Sequence, residues 1–281
     1  MEAMKLVGNS AIVTGGTKGI GLGIANALMD YGANVVICGT DLEAGAKAQE
    51  KLNSEHVGSG VRALFVRCDV SDAQQVKAMV EITISEFGSL HILCNNAGIN
   101  PPYIRTWDQD EQTWDRVMAV DLKGAFLCTR EVIPYWIKAN IHGAIVNTAS
   151  MQYLLPTDGM PHYCAAKAGL VQFTKAVAGE AGRYGIRVNC VAPGLVITEM
   201  SRSFAQGAVK DDFKSRMPLY FDDPDKMIQA EDCAQATIFL ASNYASWITG
   251  ETILVDGGNH IRGCNSFYDL AIATGQNNTR Q

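Results

Sequence analysis

The stretch Ser10-Ala11-Ile12-Val13-Thr14-Gly15-Gly16-Thr17-Lys18-Gly19-Ile20-Gly21 decides the fold of this chain. It begins with apolar and β-branched residues, which predict a buried strand over Ser10–Thr14. The glycines that follow permit a tight turn with positive φ, and a helix is predicted over Ile20–Tyr31. The free N–H groups and the positive dipole end of such a helix attract anions. The stretch therefore indicates a strand–turn–helix unit that cradles the pyrophosphate of a dinucleotide, with a simple tight turn as the alternative.

The remainder of the chain alternates short apolar runs with longer amphipathic runs. The apolar runs are continuous, as is typical of parallel strands covered on both faces. Further strands are predicted over Asn34–Cys38, Arg62–Arg67, Ile92–Asn95, Gly143–Thr148, Arg187–Val191 and Thr252–Val255. Further helices are predicted over Leu42–Asn53, Asp72–Phe87, Glu111–Ala139, Pro161–Tyr184 and Ala230–Ala241. This alternation predicts an α/β fold: a doubly wound, Rossmann-like parallel sheet with helices on both faces, in a single domain over residues 1–281.

The composition of the 281 residues excludes several classes of protein. A hydrophobic fraction of 47% and a charged fraction of 19% predict a large core and argue against disorder. The net charge is −6 and no basic block occurs, which argues against nucleic acid as a partner. No apolar run reaches the ~18 residues of a membrane span, and Met1-Glu2-Ala3-Met4-Lys5 does not begin a signal peptide. We therefore expect a cytoplasmic protein.

The eight cysteines and five histidines show no spacing typical of metal ligands. No Cys-x-x-Cys pair occurs, and several cysteines lie within apolar strand-like runs. We expect these cysteines to be buried, reduced thiols that pack as small apolar side chains. His162 is predicted to be a surface residue at the start of a helix, with a position lining a pocket as the alternative. No metal site is expected.

A phenol and an ammonium group lie four residues apart in Tyr163-Cys164-Ala165-Ala166-Lys167, thirteen residues after Ser150. On a helix the two groups share one face. The pKa of tyrosine is ordinarily about 10, and a cation within about 4–6 Å lowers it by roughly 1–3 units. We therefore predict that Tyr163 transfers a proton, that Lys167 lowers its pKa, and that Ser150 binds a substrate oxygen. Taken alone, this spacing is also typical of the exposed face of an ordinary helix.

Five motifs occur in a fixed order along the chain. They are Thr14-Gly15-x-x-x-Gly19-x-Gly21, Asn95-Asn96-Ala97-Gly98, Ser150, Tyr163-x-x-x-Lys167 and Pro193-Gly194. Together with a closing Asp256-Gly257-Gly258, they resemble the short-chain dehydrogenase/reductase family of NAD(P)-dependent oxidoreductases. The resemblance covers about Lys5 to Asn259.

The resemblance implies roles for individual residues. Ser150, Tyr163 and Lys167 would be catalytic, and Ser150, Gln152, Tyr163 and Leu195 would contact the substrate. The residues that would contact the dinucleotide are Gly15, Thr17, Lys18, Gly19, Ile20, Gly21, Asp69, Val70, Asn96, Ala97, Gly98, Tyr163, Lys167, Val196 and Thr198. Structural roles are alternatives for three of them: Asn96 and Thr198 could cap turns, and Asp69 could cap the end of a strand.

The chain departs from the family pattern in two places. Asp121, in Asp121-Leu122-Lys123-Gly124, replaces the relay asparagine of the family's catalytic set. An ionised aspartate keeps an acceptor oxygen but lacks the amide donor, so Asp121 is a candidate catalytic residue with an altered role. In the second place, Tyr220-Phe221-Asp222-Asp223 follows Pro218-Leu219 where small and basic residues are common. We expect a substrate lid over residues 197–229 and a separate C-terminal tail over residues 260–281.

The choice of cofactor depends on opposing charges. The acid diagnostic of NAD and the arginine diagnostic of NADP would fall at Gly39 and Thr40 respectively, and neither is present. Asp41 lies twenty residues after Gly21, about the separation expected for an acid that binds the ribose 2′-hydroxyl and repels a phosphate. Lys18 favours NADP instead. We therefore expect NAD, with NADP as the alternative.

The resemblance implies reversible hydride transfer between NAD(P) and a secondary alcohol or ketone. Apolar residues near the catalytic positions, such as Met151, Met160 and Leu195, favour a hydrophobic cyclic substrate such as a hydroxysteroid or bile acid. Sugar or polyol oxidation and 3-oxoacyl thioester reduction are alternatives with the same motifs. Alternatives of other classes are a methyltransferase and a catalytically silent dinucleotide-binding regulatory protein. The resemblance also implies a homodimer or homotetramer.

Overall fold

The computed structural model describes residues 5–99, 102–198, 201, 211–213, 216–219, 227–262, 272 and 274. The described residues contain one parallel sheet of seven strands in the order β3-β2-β1-β4-β5-β6-β7. The strands are β1 (Ser10–Thr14), β2 (Asn34–Gly39), β3 (Ala63–Arg67), β4 (Ile92–Asn95), β5 (Ala144–Thr148), β6 (Arg187–Pro193) and β7 (Thr252–Val255). The predicted α/β fold is therefore confirmed. Strand β6 continues two residues beyond its predicted end because β7 pairs with it as far as Pro193.

Helices cover both faces of the sheet. They are α1 (Gly19–Asp30), α2 (Leu42–Glu55), α3 (Ala73–Phe87), α4 (Glu111–Met118), α5 (Gly124–Ala139), α6 (Pro161–Ala181), α7 (Ala230–Ala241) and α8 (Asn259–Arg262). Helices α1, α2 and α7 pack on one face, where Leu28 and Ile238 join the same cluster as Val13. Helices α3, α5 and α6 contribute to the cluster on the other face, which contains Ile12. Successive residues of β1 thus point into opposite cores, as a continuous apolar run requires.

The strand order reverses between β1 and β4, because the chain crosses from the edge strand β3 back to the centre of the sheet. Loops that leave two neighbouring parallel strands in opposite directions open a crevice at their carboxyl ends. The glycine-rich turn after Thr14 and the Asn96–Gly98 loop after β4 both lie at this edge. Ser150 follows β5 at the same edge. The topology therefore brings together motifs that are far apart in the sequence.

The prediction of one continuous helix over Glu111–Ala139 is wrong at the centre of that range. A π-helical turn over Ala119–Lys123 separates α4 from α5, and Gly124 donates its N–H to the carbonyl of Ala119. Gly124 also packs directly on Val70, since an added Cβ would lie 2.6 Å from the Val70 side chain. A π turn inserts one residue into the helical ladder and is frequent at functional sites. Here it contains Asp121, whose side chain is fully buried.

The prediction that His162 is a surface residue is also wrong. His162 is fully buried in the first turn of α6, and its Nδ1 accepts the N–H of Tyr163 at 2.9 Å. The seven described cysteines are free thiols, of which six are buried and Cys164 is half-buried, whereas Cys264 lies outside the described residues. None of the described helices is both long and apolar enough to cross a membrane.

Parts of the expected lid and tail, including Met200, Phe204, Tyr220 and Phe221, lie outside the described residues. Within residues 197–229, four described side chains are buried together in a small cluster of their own: Ile197, Phe213, Met217 and Met227. The described part of this segment therefore has a local core separate from the two main clusters.

Trp136 provides a test of the packing on the α5 face. Its side chain is fully buried, its Nε1 donates to the Leu90 carbonyl at 2.6 Å, and its ring leaves no room for a side chain on Gly143. We expect Trp136→Ala to lower the free energy of unfolding by about 3–5 kcal/mol, because it leaves a large cavity. Urea unfolding followed by circular dichroism measures the loss. Trp107→Ala is the control, since Trp107 is 79% exposed and should change stability by less than about 1 kcal/mol. Equal losses in the two variants would contradict the packing described.

Candidate active site

The turn between β1 and α1 has a backbone that accepts an anion. Gly15 and Gly19 adopt left-handed conformations with φ of 63° and 55°. A Cβ on Gly21 would overlap the carbonyl oxygen of Gly15, so the turn can close only around a glycine at this position. The turn leads directly into the N-terminus of α1, where backbone N–H groups are available to a phosphate. The residues present therefore fit the pyrophosphate of a dinucleotide.

Polar side chains tie this turn to the loop after β4. Thr14 Oγ1 accepts the N–H groups of Asn96 at 2.9 Å and Ala97 at 3.0 Å. The Asn96 amide donates in return to the carbonyls of Thr14 at 3.1 Å and Gly15 at 3.3 Å. Asn96 therefore has the turn-supporting role that was the alternative to direct cofactor contact. Its half-buried position beside the glycine turn is compatible with both roles.

Two carboxylates, those of Asp41 and Asp69, lie near the ends of β2 and β3. Asp41 Oδ1 caps α2 by accepting the N–H groups of Glu43 at 3.0 Å and Ala44 at 3.1 Å. Asp69 Oδ1 accepts both the N–H and the hydroxyl of Ser71. Its Oδ2 pairs with Arg116 at 3.0 Å. Although burial opposes the change, the bonds from Ser71 and Arg116 lower the pKa of Asp69. The predicted cap at the end of a strand is therefore present at Asp69.

Ser150, Tyr163 and Lys167 converge at the carboxyl end of β5. Ser150 follows β5 and is in close contact with the side chain of Gln152. Tyr163 lies in the first turn of α6, and Lys167 lies one turn later on the same face. The Lys167 Nζ is 5.4 Å from the centre of the Tyr163 ring. The helical arrangement predicted for this pair is therefore present.

Lys167 is buried between three elements. Its Nζ donates to the Thr148 carbonyl at 3.1 Å and lies 3.3 Å from Asp121 Oδ2. This Asp121 oxygen has no hydrogen bond of good geometry, so the contact is an ion pair rather than a directed bond. Burial alone would lower the pKa of Lys167, but the neighbouring Asp121 and Tyr163 outweigh burial and raise it. The ammonium form is therefore stable inside the protein.

Lys167 does act to lower the pKa of Tyr163, as predicted, but the expectation that the pKa falls below its usual value is wrong. The pKa of Tyr163 is raised, first because the phenol is buried and also because the Asp121 carboxylate faces it. Lys167 and a hydrogen bond with Ser150 oppose this rise without overcoming it. Burial favours the neutral phenol because a phenolate loses its hydration in the interior. Tyr163 is therefore held as a proton donor.

All the predicted site residues line one cleft of about 870 Å³. On the dinucleotide side these are Gly15, Thr17, Lys18, Gly19, Ile20, Gly21, Asp41, Asp69, Val70, Asn96, Ala97, Gly98, Val196 and Thr198. On the catalytic and substrate side they are Asp121, Ser150, Gln152, Tyr163, Lys167 and Leu195. The roles of these residues remain predictions, but the fold does bring them together.

Sequence reasoning missed several side chains of the cleft. Tyr103 and Arg116 line it, and burial raises the pKa of Tyr103 to about 12. Tyr103 follows the Asn96–Gly98 loop closely, and this proximity to a motif was the available signal. Conversely, Tyr153 and Leu154 flank Ser150 in sequence but do not line the cleft: Tyr153 packs in another cluster and Leu154 is exposed.

Comparisons with known proteins agree with this geometry. Residues 15–260 match the family described as enoyl-(acyl carrier protein) reductase. The chain is 38% identical over 253 residues to the 3-oxoacyl-(acyl-carrier-protein) reductase FabG of Chlamydia muridarum, which covers 90% of this chain and 98% of the relative. It is 36% identical over 259 residues to the short chain dehydrogenase/reductase astE of Aspergillus oryzae, covering 92% and 97% of the two chains.

A solved structure supports the fold alone. The short-chain type dehydrogenase/reductase from Mycobacterium ulcerans superposes with a TM-score of 0.89 at 24% identity, covering 95% of this chain and 94% of the other. Its identity to this chain is too low to transfer a substrate or a cofactor.

Gly21→Ala tests the dinucleotide site. Because the added methyl group would overlap the Gly15 carbonyl, we expect at least about a tenfold weaker binding of NADH and NADPH, which corresponds to about 1.4 kcal/mol. Quenching of tryptophan fluorescence during titration measures the dissociation constants. Gly179→Ala on α6 is the matched control, since nothing lies within 4 Å of its added Cβ. Unchanged binding in Gly21→Ala would show that the dinucleotide does not use this turn.

Proposed function

Because this chain belongs to the short-chain dehydrogenase/reductase family, we propose that it reduces the ketone of a 3-oxoacyl thioester with a nicotinamide dinucleotide. Membership of the family makes the chain an oxidoreductase and argues against the methyltransferase. Turnover by the purified protein distinguishes it from the catalytically silent dinucleotide-binding protein. The observation that carries the proposal is the convergence of Ser150, Tyr163 and Lys167 on the cleft that the glycine turn also lines. The names of the FabG relatives favour the thioester among the possible ketones.

The side chains of the site can perform the proton part of this reaction. The bound dinucleotide would supply a hydride to the carbonyl carbon. The Tyr163 phenol, which lines the cleft, then donates its proton to the carbonyl oxygen, which gives a 3-hydroxyacyl thioester. Ser150 lies beside this position and can hydrogen-bond the same oxygen as negative charge develops on it. Lys167 stabilises the phenolate that remains, because its ammonium faces the ring.

The hydroxysteroid or bile acid expected from the sequence has no support among these relatives, so we do not retain it as the preferred substrate. The apolar wall that suggested it contains Met151, Met160 and Leu195, and it suits a linear acyl chain equally well. Polyol oxidation is less well supported, since the names of the FabG relatives refer to a 3-oxoacyl substrate and not to a polyol.

We retain NAD as the proposed cofactor. Asp41 uses only Oδ1 to cap α2, so its other oxygen is available to a ribose hydroxyl at the edge of the cleft. The cap holds this carboxylate in place, where it would repel a 2′-phosphate. Lys18 also lines the cleft and would attract such a phosphate. Solvent screens both charges because both side chains are exposed, but Asp41 is also held in place by its cap. NADP is the second candidate because Arg67 bonds the Thr40 carbonyl at 3.3 Å and adds a cation near the same position.

The lid over residues 197–229, the tail over residues 260–281, the cytoplasmic location and the homodimer or homotetramer also stand as proposals. Exposed aromatic side chains favour an assembly between copies of this chain. Trp114 on α4 and Phe126 on α5 are 37% and 43% exposed.

Tyr163→Phe tests the proposed reaction. The variant keeps the ring but loses the proton donor, so we expect at least about a hundredfold lower turnover of a 3-oxobutanoyl thioester. Absorbance at 340 nm follows the oxidation of NADH or NADPH. Binding of the dinucleotide in the variant, followed by fluorescence, is the control and should stay near the wild-type value. Near-normal turnover in Tyr163→Phe would remove Tyr163 from the reaction, whereas absence of thioester turnover in the wild type would contradict the proposed substrate.

Asp41→Asn tests the choice of cofactor. Asparagine caps a helix as well as aspartate does, so the variant removes the charge and keeps α2 intact. We expect the ratio of kcat/KM for NADPH to that for NADH to rise by up to about fivefold, the effect of about 1 kcal/mol between exposed charges. Lys18→Gln is the complementary variant and should lower the same ratio. An unchanged ratio in Asp41→Asn would show that Asp41 does not select the cofactor.

A further inference from the structure

Asp121 introduces a negative charge where the resembling family has a neutral amide. Its carboxylate lies in the π turn between α4 and α5 and has no exposed surface on its side chain. Oδ1 accepts the N–H of Ile99 at 2.9 Å, which fixes the orientation of the carboxylate. Oδ2 points toward the Lys167 ammonium at 3.3 Å. The site therefore contains a buried ion pair rather than an amide beside a free cation.

We propose that Asp121 is a positioning residue that, through its ion pair with Lys167, sets the pH at which Tyr163 exchanges its proton. The inference rests on the proposed function, because it concerns the proton donor of that reaction. An asparagine at this position would leave the full charge of Lys167 facing Tyr163. The carboxylate offsets part of that charge and so favours the protonated phenol over the phenolate.

The surroundings of the pair strengthen its effect. The backbone of Gly98 lies against both partners, since a Cβ on Gly98 would be 3.0 Å from Asp121 Oδ2 and 3.4 Å from Lys167 Nζ. The loop after β4 therefore packs against the pair, whose two side chains are almost completely buried. Charges interact more strongly where water is excluded, because the local dielectric constant is lower.

Few other titratable groups face the pair. His162 faces Asp121 from the start of α6, and burial lowers the pKa of His162, so its ring is neutral in the alkaline range. Tyr103 and Cys164 face Tyr163, and burial raises the pKa of Tyr103 to about 12 and also raises that of Cys164. Cys190 faces Lys167, and burial raises its pKa to about 12. Burial raises the pKa of Asp121 itself, and the Lys167 ammonium and the N–H of Ile99 oppose that rise. Asp121 is the only carboxylate among the named groups that face Lys167 and Tyr163.

Asp121→Asn separates this electrostatic role from a purely structural one. Reduction of the ketone requires the protonated phenol, so activity falls as the pH rises through the pKa of Tyr163. Removing the negative charge favours the phenolate, and we expect the fall in kcat/KM to move about one pH unit lower. For the reverse reaction, alcohol oxidation, kcat/KM rises with pH, and this rise should also move about one pH unit lower. Asp115→Asn, which changes an exposed carboxylate of α4, should leave both the fall and the rise in place.

A second readout does not depend on turnover. The tyrosinate absorbance at 295 nm is titrated in the wild type and in Asp121→Asn. The titration of Tyr163→Phe is subtracted from that of the wild type, and the titration of the double variant Tyr163→Phe/Asp121→Asn is subtracted from that of Asp121→Asn. The step assigned to Tyr163 should appear about one pH unit lower without the carboxylate. Asp121→Glu keeps the charge and should restore a step close to that of the wild type. If Asp121→Asn does not fold, Asp121→Ser removes the same charge and is titrated instead.

The outcomes distinguish this inference from the proposed function. Coincident titration steps in the wild type and the neutral variant, within about 0.2 pH unit, would overturn the role of Asp121, as would an equal shift in Asp121→Glu. A shifted tyrosinate step in a protein that fails to reduce a 3-oxoacyl thioester would support the role of Asp121 and contradict only the substrate proposed above.

Discussion

The parallel direction of all seven strands is the constraint on which the site depends, because it brings every strand's carboxyl end to one edge of the sheet. Buried side chains hold this edge together. Asn95 and Asn147 are opposite each other in β4 and β5, and their amides bond at 2.9 Å. Asn147 continues to Thr174 on α6 at 2.8 Å. This chain of bonds fixes α6, and with it Tyr163 and Lys167, relative to the sheet.

A second set of hydrogen bonds joins the glycine turn after β1 to the loop after β4, at the same edge of the sheet. Thr14 at the end of β1 accepts two N–H groups from the loop after β4, and Asn96 returns bonds to the glycine turn. The loop after β4 also reaches the pair of Asp121 and Lys167, against which Gly98 lies. Because buried polar groups are costly unless they are satisfied, these networks specify one arrangement of the loops. Burial also favours the protonated form of Tyr163 by raising its pKa.

The sequence predicted the fold well because its strongest signals are local. Continuous apolar runs identified all seven strands, and their ends were wrong by at most two residues where a neighbouring strand extended the pairing, as at Pro193. The motifs also identified residues that the fold brings into one cleft.

The failures arise where tertiary packing overrides local pattern. The π turn at Ala119–Lys123 has the composition of an ordinary helix. The burial of His162 depends on elements distant in sequence. The pKa of Tyr163 depends on burial and on Asp121, neither of which a spacing of four residues reveals.

The most direct measurement follows the hydride itself. The protein is incubated with a 3-oxobutanoyl thioester and a reduced nicotinamide dinucleotide that carries deuterium at C4 of the ring in the transferred position, and the product is examined by mass spectrometry and NMR. The proposed function predicts a 3-hydroxyacyl thioester with one deuterium on C3 and a hydroxyl proton that exchanges with water. A product without deuterium at C3, or no product while the dinucleotide still binds, would contradict it.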